Sequence, residues 1–303
     1  MRLLVLTQKV DKNDSILGFF HRWIEEFAKH SEHVIVVTLE EGKHDLPKNV
    51  SVYSLGKEKG ASKVKILFTF YLLVFNLRHR YDAVFVHMNP EYVVLGGLLW
   101  RLLGKRVSLW YTHKSVGLKL RVAKLFANII FTASKESFRL KTSKLRIVGH
   151  GIDTDLFRPD PSVVREDWWL SAGRLNKSKR HDIVIREAKD AGRELRIAGE
   201  GPERPALETL ARQLKANVIF LGGVEHTKMP DLFRRAFLFR HTSETGSADK
   251  VFLEALACGC PVKTNNLALD ALESEGSAGI FEHHSLKHLI PAIINELYGT
   301  TGK

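Results

Sequence analysis

Between Thr242 and Val262 the chain reads TSETGSADKVFLEALACGCPV, setting Glu244, Asp249, Lys250 and Glu254 around a glycine turn before an apolar segment. Glu254 stands a turn and a half inside that segment, where a carboxylate is costly unless something engages it. Ser247 has the chemistry of a helix N-cap. A helix starting there would point the backbone N–H groups of Ala248, Asp249 and Lys250 outward from its positive end, with Gly246 before them and Val251 behind. That is an anion site suited to phosphate. A second basic element, GRLNKSK from Gly173 to Lys179, offers two cations. Arg174 can grip a phosphate through paired N–H groups and Lys179 can act as a point charge. A solvated basic loop is the alternative for NKSKR, with Lys177 and Arg180 read as surface residues. GEGP (Gly199, Gly201) and the glycine pair at Gly222 admit close backbone approach, either to a ligand or as plain turns. His113 in LWYTH, His87 and Asn89 in VHMNPEY, and His150 in GHGID are further polar candidates, each with a structural alternative.

Something must hold these groups, and the chain supplies it as alternating strand-like and helix-like runs. LLVLT (3–7), VIVVT (34–38), VSVYS (50–54), AVFVH (83–87), RVSLWYT (106–112) and IIFTA (129–133) read as strands, with helical candidates such as FFHRWIEEFAKH between them. After GHGIDTDLF (149–157) the pattern restarts with DWWLSAG, ELRIAG, NVIFLG, AFLFRHT, PVKT and AGIFE. This alternation predicts two parallel sheets with helices on both faces. Glycines and prolines at 149–161 mark the boundary, giving domains 1–152 and 153–303, with the last helix free to pack back on the first domain. Ligands of doubly wound sheets bind beyond the carboxyl ends of the strands. That rule selects Lys9–Asp14, His87–Asn89, His113–Lys114, Ser134 and His150 from the first half. From the second it selects Gly173–Lys179, Gly199–Pro202, Gly222–Val224 and Thr242–Lys250.

Charge divides the chain unevenly. Residues 1–150 carry 25 Lys and Arg against 12 Asp and Glu, whereas 151–303 carry 21 against 22. The basic excess lies wholly in the first half and suits an anionic substrate, membrane or nucleic acid. No RNP-type strand, zinc finger or helix-turn-helix supports the nucleic-acid reading. Cys258 and Cys260 lack C-x-x-C spacing and read as small buried residues of a reducing, cytoplasmic setting. No secretion signal is visible in MRLLVLTQKVDKND. The longest apolar run, Ile66–Leu77, is too short to span a bilayer. It is flanked by Lys63, Lys65, Arg78, His79 and Arg80, and reads either as a core helix or as a basic-flanked helix in a membrane interface.

The ordered motifs AGRLNKSKRHD, LRIAGEGPE, IFLGGVEH and SADKVFLEALACGCPV resemble the family 4 retaining glycosyltransferases (group 1 glycosyltransferases) of the GT-B fold, over most of 145–265. The resemblance implies two Rossmann-like domains facing across a cleft, with the acceptor on the first and a nucleotide-diphosphate sugar, UDP- or GDP-linked, on the second. It implies transfer with retention to a glycan or lipid-linked acceptor. It gives Glu254 the ribose hydroxyls, Gly222 the border of the base pocket, Arg174 and Lys179 the diphosphate, and His113 a place near the reacting centre. The family's earlier glutamate falls at Gly246. Glu244 takes that sugar-contacting role if the loop is longer here, and Asp249 takes it otherwise. The one D-x-D triplet, Asp153-Thr154-Asp155, falls in the boundary motif GHGIDTDLF, and a metal-independent reaction is expected. A nucleotide-sugar epimerase of similar fold and a basic nucleic-acid-binding protein are the competing readings. No G-x-G-x-x-G follows the first strand, which disfavours a dinucleotide oxidoreductase.

Overall fold

The computed structural model describes residues 2–14, 16–243 and 249–299. They form two compact units, Met1–Gly151 with Leu286–Lys303 and Ile152–Ser285. The last helix therefore belongs to the first unit.

In the first unit, seven parallel strands run in the order β3-β2-β1-β4-β5-β6-β7. These are β1 (Arg2–Val10), β2 (His33–Glu41), β3 (Val50–Ser54), β4 (Ala83–His87), β5 (Arg106–Trp110), β6 (Ile129–Thr132) and β7 (Leu145–Ile147). Continuous apolar runs suit strands covered on both faces. One face carries α1 (Phe19–Lys29) and the C-terminal α10 (Leu286–Tyr298). Phe20, Trp23, Ile24 and Phe27 of α1 fall at helical spacing and pack with Leu289, Ile290, Ile293 and Leu297 of α10. The other face carries α2 (Lys63–Asn76), α3 (Pro90–Leu102) and α4 (Leu118–Phe126). In α2, Phe70 and Val74 are buried, while Val64, Leu67, Phe68, Tyr71, Leu72 and Phe75 are exposed.

The second unit orders its parallel strands β10-β9-β8-β11-β12. They are β8 (Trp168–Ala172), β9 (Glu194–Ala198), β10 (Val218–Gly222), β11 (Leu238–His241) and β12 (Val262–Thr264). Helices α5 (His181–Asp190), α6 (Arg204–Leu214), α7 (Met229–Arg235), α8 (Lys250–Ala257) and α9 (Leu267–His283) complete it. AGIFE, expected as a sixth strand, lies inside α9. Gly276, at φ 61° and ψ −159°, kinks that helix, and its second segment then lays Ile280 into the core. A short apolar run with one buried face satisfies either period, and here the helix wins.

β8 is tied to α5 by a buried pair, Ser171 Oγ and His181 Nδ1, 2.9 Å apart. Burial pushes the His181 imidazole down to about 4, and the charges of Lys179 and His241 act in the same direction.

Two consequences are measurable. Ile293→Ala should remove a buried contact of the first unit and lower its stability by about 2–5 kcal/mol in denaturant unfolding. The folded state keeps His181 neutral to about pH 4, whereas an unfolded histidine takes its proton near 6.5. Stability from this site is therefore present above 6.5 and is lost as pH falls toward 4, by roughly 3 kcal/mol in all. His181→Asn should flatten that acid slope in urea titrations at several pH values. An unchanged slope would show that His181 is not its source.

Candidate functional site

The strand order of the second unit reverses between β8 and β11, since β9 and β10 lie on one side of β8 and β11 on the other. Such a reversal opens a crevice beyond the carboxyl ends of those two strands. Three titratable side chains meet there. Lys179, from the loop after β8, places Nζ 2.5 Å from Asp249 Oδ2, and His241, the last residue of β11, places Nε2 2.8 Å from the same oxygen. Burial alone would raise the Asp249 carboxyl. The hydrogen bond from His241 and the Lys179 ammonium outweigh it, holding the group far below the usual carboxylate range. The carboxylate accepts from Nε2, and Nδ1 of the same ring lies 3.3 Å from Thr264 Oγ1 on β12. Thr242 Oγ donates to the carbonyls of Lys179 and Arg180, closing the two loops on each other.

Asp249 is also where the following helix begins. It is the N-cap of α8, in extended conformation, and Lys250 is the first helical residue. The expected N-cap, Ser247, is thus corrected by two positions: the positive end of the helix opens at Asp249, whose carboxylate answers to Lys179 and His241 rather than capping. Glu244, Gly246, Ser247 and Ala248 lie outside the described residues.

Glu254 is buried on α8, and His226 Nε2 at 2.8 Å and Lys250 Nζ at 3.8 Å both meet its Oε1. One carboxylate oxygen is thereby oriented, leaving Oε2 outside both contacts. Burial pushes the Lys250 ammonium down to about 8, against the opposing pull of Glu254 and Asp153. Asp153 opens the IDTDLF turn, accepting from the Leu156 and Phe157 amides through its carbonyl, and the Phe157 ring packs 4.8 Å from that of His226. The motif expected at the domain boundary therefore supports the residue that holds Glu254.

Two of the glycines at the strand ends are required by the packing of the loops themselves. A Cβ on Gly199 would stand 2.0 Å from the Gly173 carbonyl oxygen, and one on Gly201 2.3 Å from that of Leu175. The loops are stitched together by Gly173 N–H to Ala198, Leu175 N–H to Glu200 and Gly199 N–H to Gly222. GEGP is a turn pressed against the neighbouring loop of its own unit. Gly173, Gly199 and Gly222 all have positive φ. Arg174, beside this seam, is exposed, with no ion pair among the described residues, so its guanidinium is available to an anion. Val251 is half-buried in the first turn of α8.

In the first unit, His113 follows β5 and is exposed. Its Nδ1 accepts the Ser115 N–H at 3.1 Å and lies 2.9 Å from Ser115 Oγ, so the proton of the neutral ring sits on Nε2. His87 is buried, stacked on Phe20 at 4.0 Å and 3.3 Å from Thr7 Oγ, a core role rather than an open one. Asn89 caps α3 by position without a side-chain hydrogen bond, and His150 is buried. The first loop is organised by Asp14, which accepts from Lys9 and from the Ile16 and Leu17 amides. His226 and His241 are the site residues that the sequence did not single out. Their one local signal is position, at or just beyond a strand end.

Residues 154–283 match the family model for glycosyl transferases group 1. Over 138 residues the chain is 36% identical to the D-inositol 3-phosphate glycosyltransferase of Mycobacterium tuberculosis, a match covering 40% of this chain and 28% of that relative. The phosphatidylinositol N-acetylglucosaminyltransferase gpi3 subunit of Schizosaccharomyces pombe is 28% identical over 129 residues, again 40% of this chain and 28% of the relative. The chain thus spans under a third of either relative's length. Among solved structures, WaaG, a glycosyltransferase of lipopolysaccharide biosynthesis, superimposes with a TM-score of 0.70 at 15% identity over 99% of this chain and all of its own. Anabaena HepE in complex with UDP and glucose gives 0.69 at 17%, covering 98% and 95%. UDP-GlcNAc 2-epimerase from Methanocaldococcus jannaschii gives 0.59 at 12%, covering 99% and 100%. The chain has the two Rossmann-like units of the GT-B glycosyltransferases, and its second unit is similar in sequence to the group 1 glycosyl transferases.

Proposed function

We propose that the protein is a metal-independent, retaining glycosyltransferase that moves a sugar from a nucleotide-diphosphate donor to a glycan or lipid-linked acceptor. The observation that carries this is the meeting of Lys179, Asp249 and His241 at the reversal point of the second sheet, with Glu254 oriented on the helix that starts there. A carboxylate fixed through one oxygen can accept from the vicinal hydroxyls of a ribose through the other. Lys179 and the free guanidinium of Arg174 supply the positive charge that a departing diphosphate needs. The anomeric carbon–phosphate-oxygen bond breaks, the bond to the acceptor oxygen forms on the same face, and the acceptor proton passes to the leaving phosphate. His113 Nε2–H is a donor suited to the sugar or phosphate. Glu244 is the first choice for sugar contact, because Asp249 already has two partners. The UDP and glucose held by HepE support a uridine nucleotide as the first donor to try. The basic balance of residues 1–150 supports an anionic or membrane-borne acceptor.

One nucleoside diphosphate among UDP, GDP and ADP should raise the melting temperature, and its sugar should be turned over once an acceptor is present. Glu254→Gln should weaken that nucleotide by roughly tenfold or more, since it removes a charged acceptor. Lys179→Ala should lower kcat/KM by about a hundredfold with the fold intact in circular dichroism. Full activity of both variants would overturn the site, and no response to any nucleotide would overturn the reading. Conversion of the donor sugar without acceptor would instead point to an epimerase, a reaction supported by the likeness to UDP-GlcNAc 2-epimerase.

A further inference from the structure

Helix α2 is apolar on two faces, and the first unit uses only one of them. Phe70 and Val74 enter the core, with Ile66 and Leu73 packed against it. The second stripe, Val64, Leu67, Phe68, Tyr71, Leu72 and Phe75, recurs at helical spacing and faces outward, with Val64 78% and Phe68 69% exposed. Soluble surfaces do expose single apolar residues, but six on one stripe mark a contact surface. Tyr71 Oη donates to the Leu95 carbonyl, placing α2 beside α3, where Leu98 and Leu102 are exposed as well.

Charge identifies the occupant. Residues 63–126 contain 11 Lys and Arg against 2 acids, Asp82 and Glu91. Both acids are already paired, with Arg2 and Lys119. Among the described residues, Lys63, Lys65, Arg78 and Arg80 at the two ends of the stripe have no carboxylate partner. The Arg78 guanidinium lies over the Phe75 ring, 4.0 Å from its centroid, so a cation stands at the end of the apolar stripe. A second copy docking through the same stripe would bring two basic rims together, which like charges oppose. An anionic bilayer offers hydrocarbon to the stripe and phosphate to the rim at once. No helix among the described residues is long and apolar enough to cross a membrane, so the contact is one of lying in the interface.

We infer that the outer stripe of α2, with its basic ends, seats the first unit in the headgroup layer of an anionic lipid bilayer. This deepens the reading of a membrane-borne acceptor by naming the surface that meets the membrane, and its test needs no donor or turnover. The protein should co-sediment with phosphatidylcholine vesicles containing phosphatidylglycerol, bind phosphatidylcholine alone weakly, and release in high salt. The double variant Phe68→Ser, Leu72→Ser, altered only at exposed positions, should bind at least about tenfold more weakly with an unchanged melting curve. Lys63→Glu with Lys65→Glu should weaken binding on the order of tenfold and flatten its salt dependence. Absence of binding to the anionic vesicles would overturn the inference, as would undiminished binding by Phe68→Ser, Leu72→Ser. So would a wild-type dimer in sedimentation that this pair converts to monomer, which would assign the stripe to a second copy. Failure of every nucleotide to bind, with vesicle binding intact, would strike the transferase reading and leave the membrane surface standing.

Discussion

A carboxylate withdrawn from water needs compensation from close at hand, and Asp249 finds it from two directions. The ammonium of Lys179 and the imidazole of His241 converge on one of its oxygens. The three residues come from the loop after β8, the end of β11 and the start of α8, so a single charge fixes the relative positions of three elements. Losing one arm would leave the carboxylate with a single partner and so less well compensated for its burial. The rest of the site takes its bearings from this point: α8 starts at Asp249 and carries Lys250 and Glu254 one turn apart.

Around that charge the backbone is unusually constrained. The loops after β8, β9 and β10 touch through carbonyl and amide groups with no room for a Cβ at Gly199 or Gly201. Rigid loops of this kind hold Arg174 and Lys179 against a fixed frame, and a preformed cationic surface loses little on meeting an anion. The polar supports are layered in the same spirit. Phe157 positions His226, His226 orients Glu254, and Glu254 keeps one oxygen outside those contacts.

Much of this was legible before any coordinates. AVFVH matches β4 end to end because an uninterrupted apolar run bounded by polar residues leaves a buried strand no other register. Glu254 stood out as a charge inside an apolar segment, and Lys179 as a cation after a strand end. What escaped was the partner. His226 lies 28 residues from Glu254 and His241 lies 8 from Asp249, and no local pattern joins them. Ser247 and Asp249 are comparable intrinsic caps, so sequence alone does not choose between them, and the helix starts at Asp249. β7, three residues with an arginine at its centre, exists because β6 offers an edge, and propensity alone does not announce it. AGIFE failed for the converse reason: five residues are too few to fix a period, and Gly276 allowed a bend that put them on a helix.

The return of α10 to the first unit makes that unit discontinuous in sequence. Its core around Trp23 and Phe27 includes Leu289, Ile293 and Leu297, while residues 152–285 form a body of their own. During synthesis the second unit can finish before the first, because all of its chain emerges earlier than the helix that seals its neighbour. Until that helix arrives, the first sheet presents an apolar face to the cell. The unit begun first is thus the one whose core is completed last along the chain.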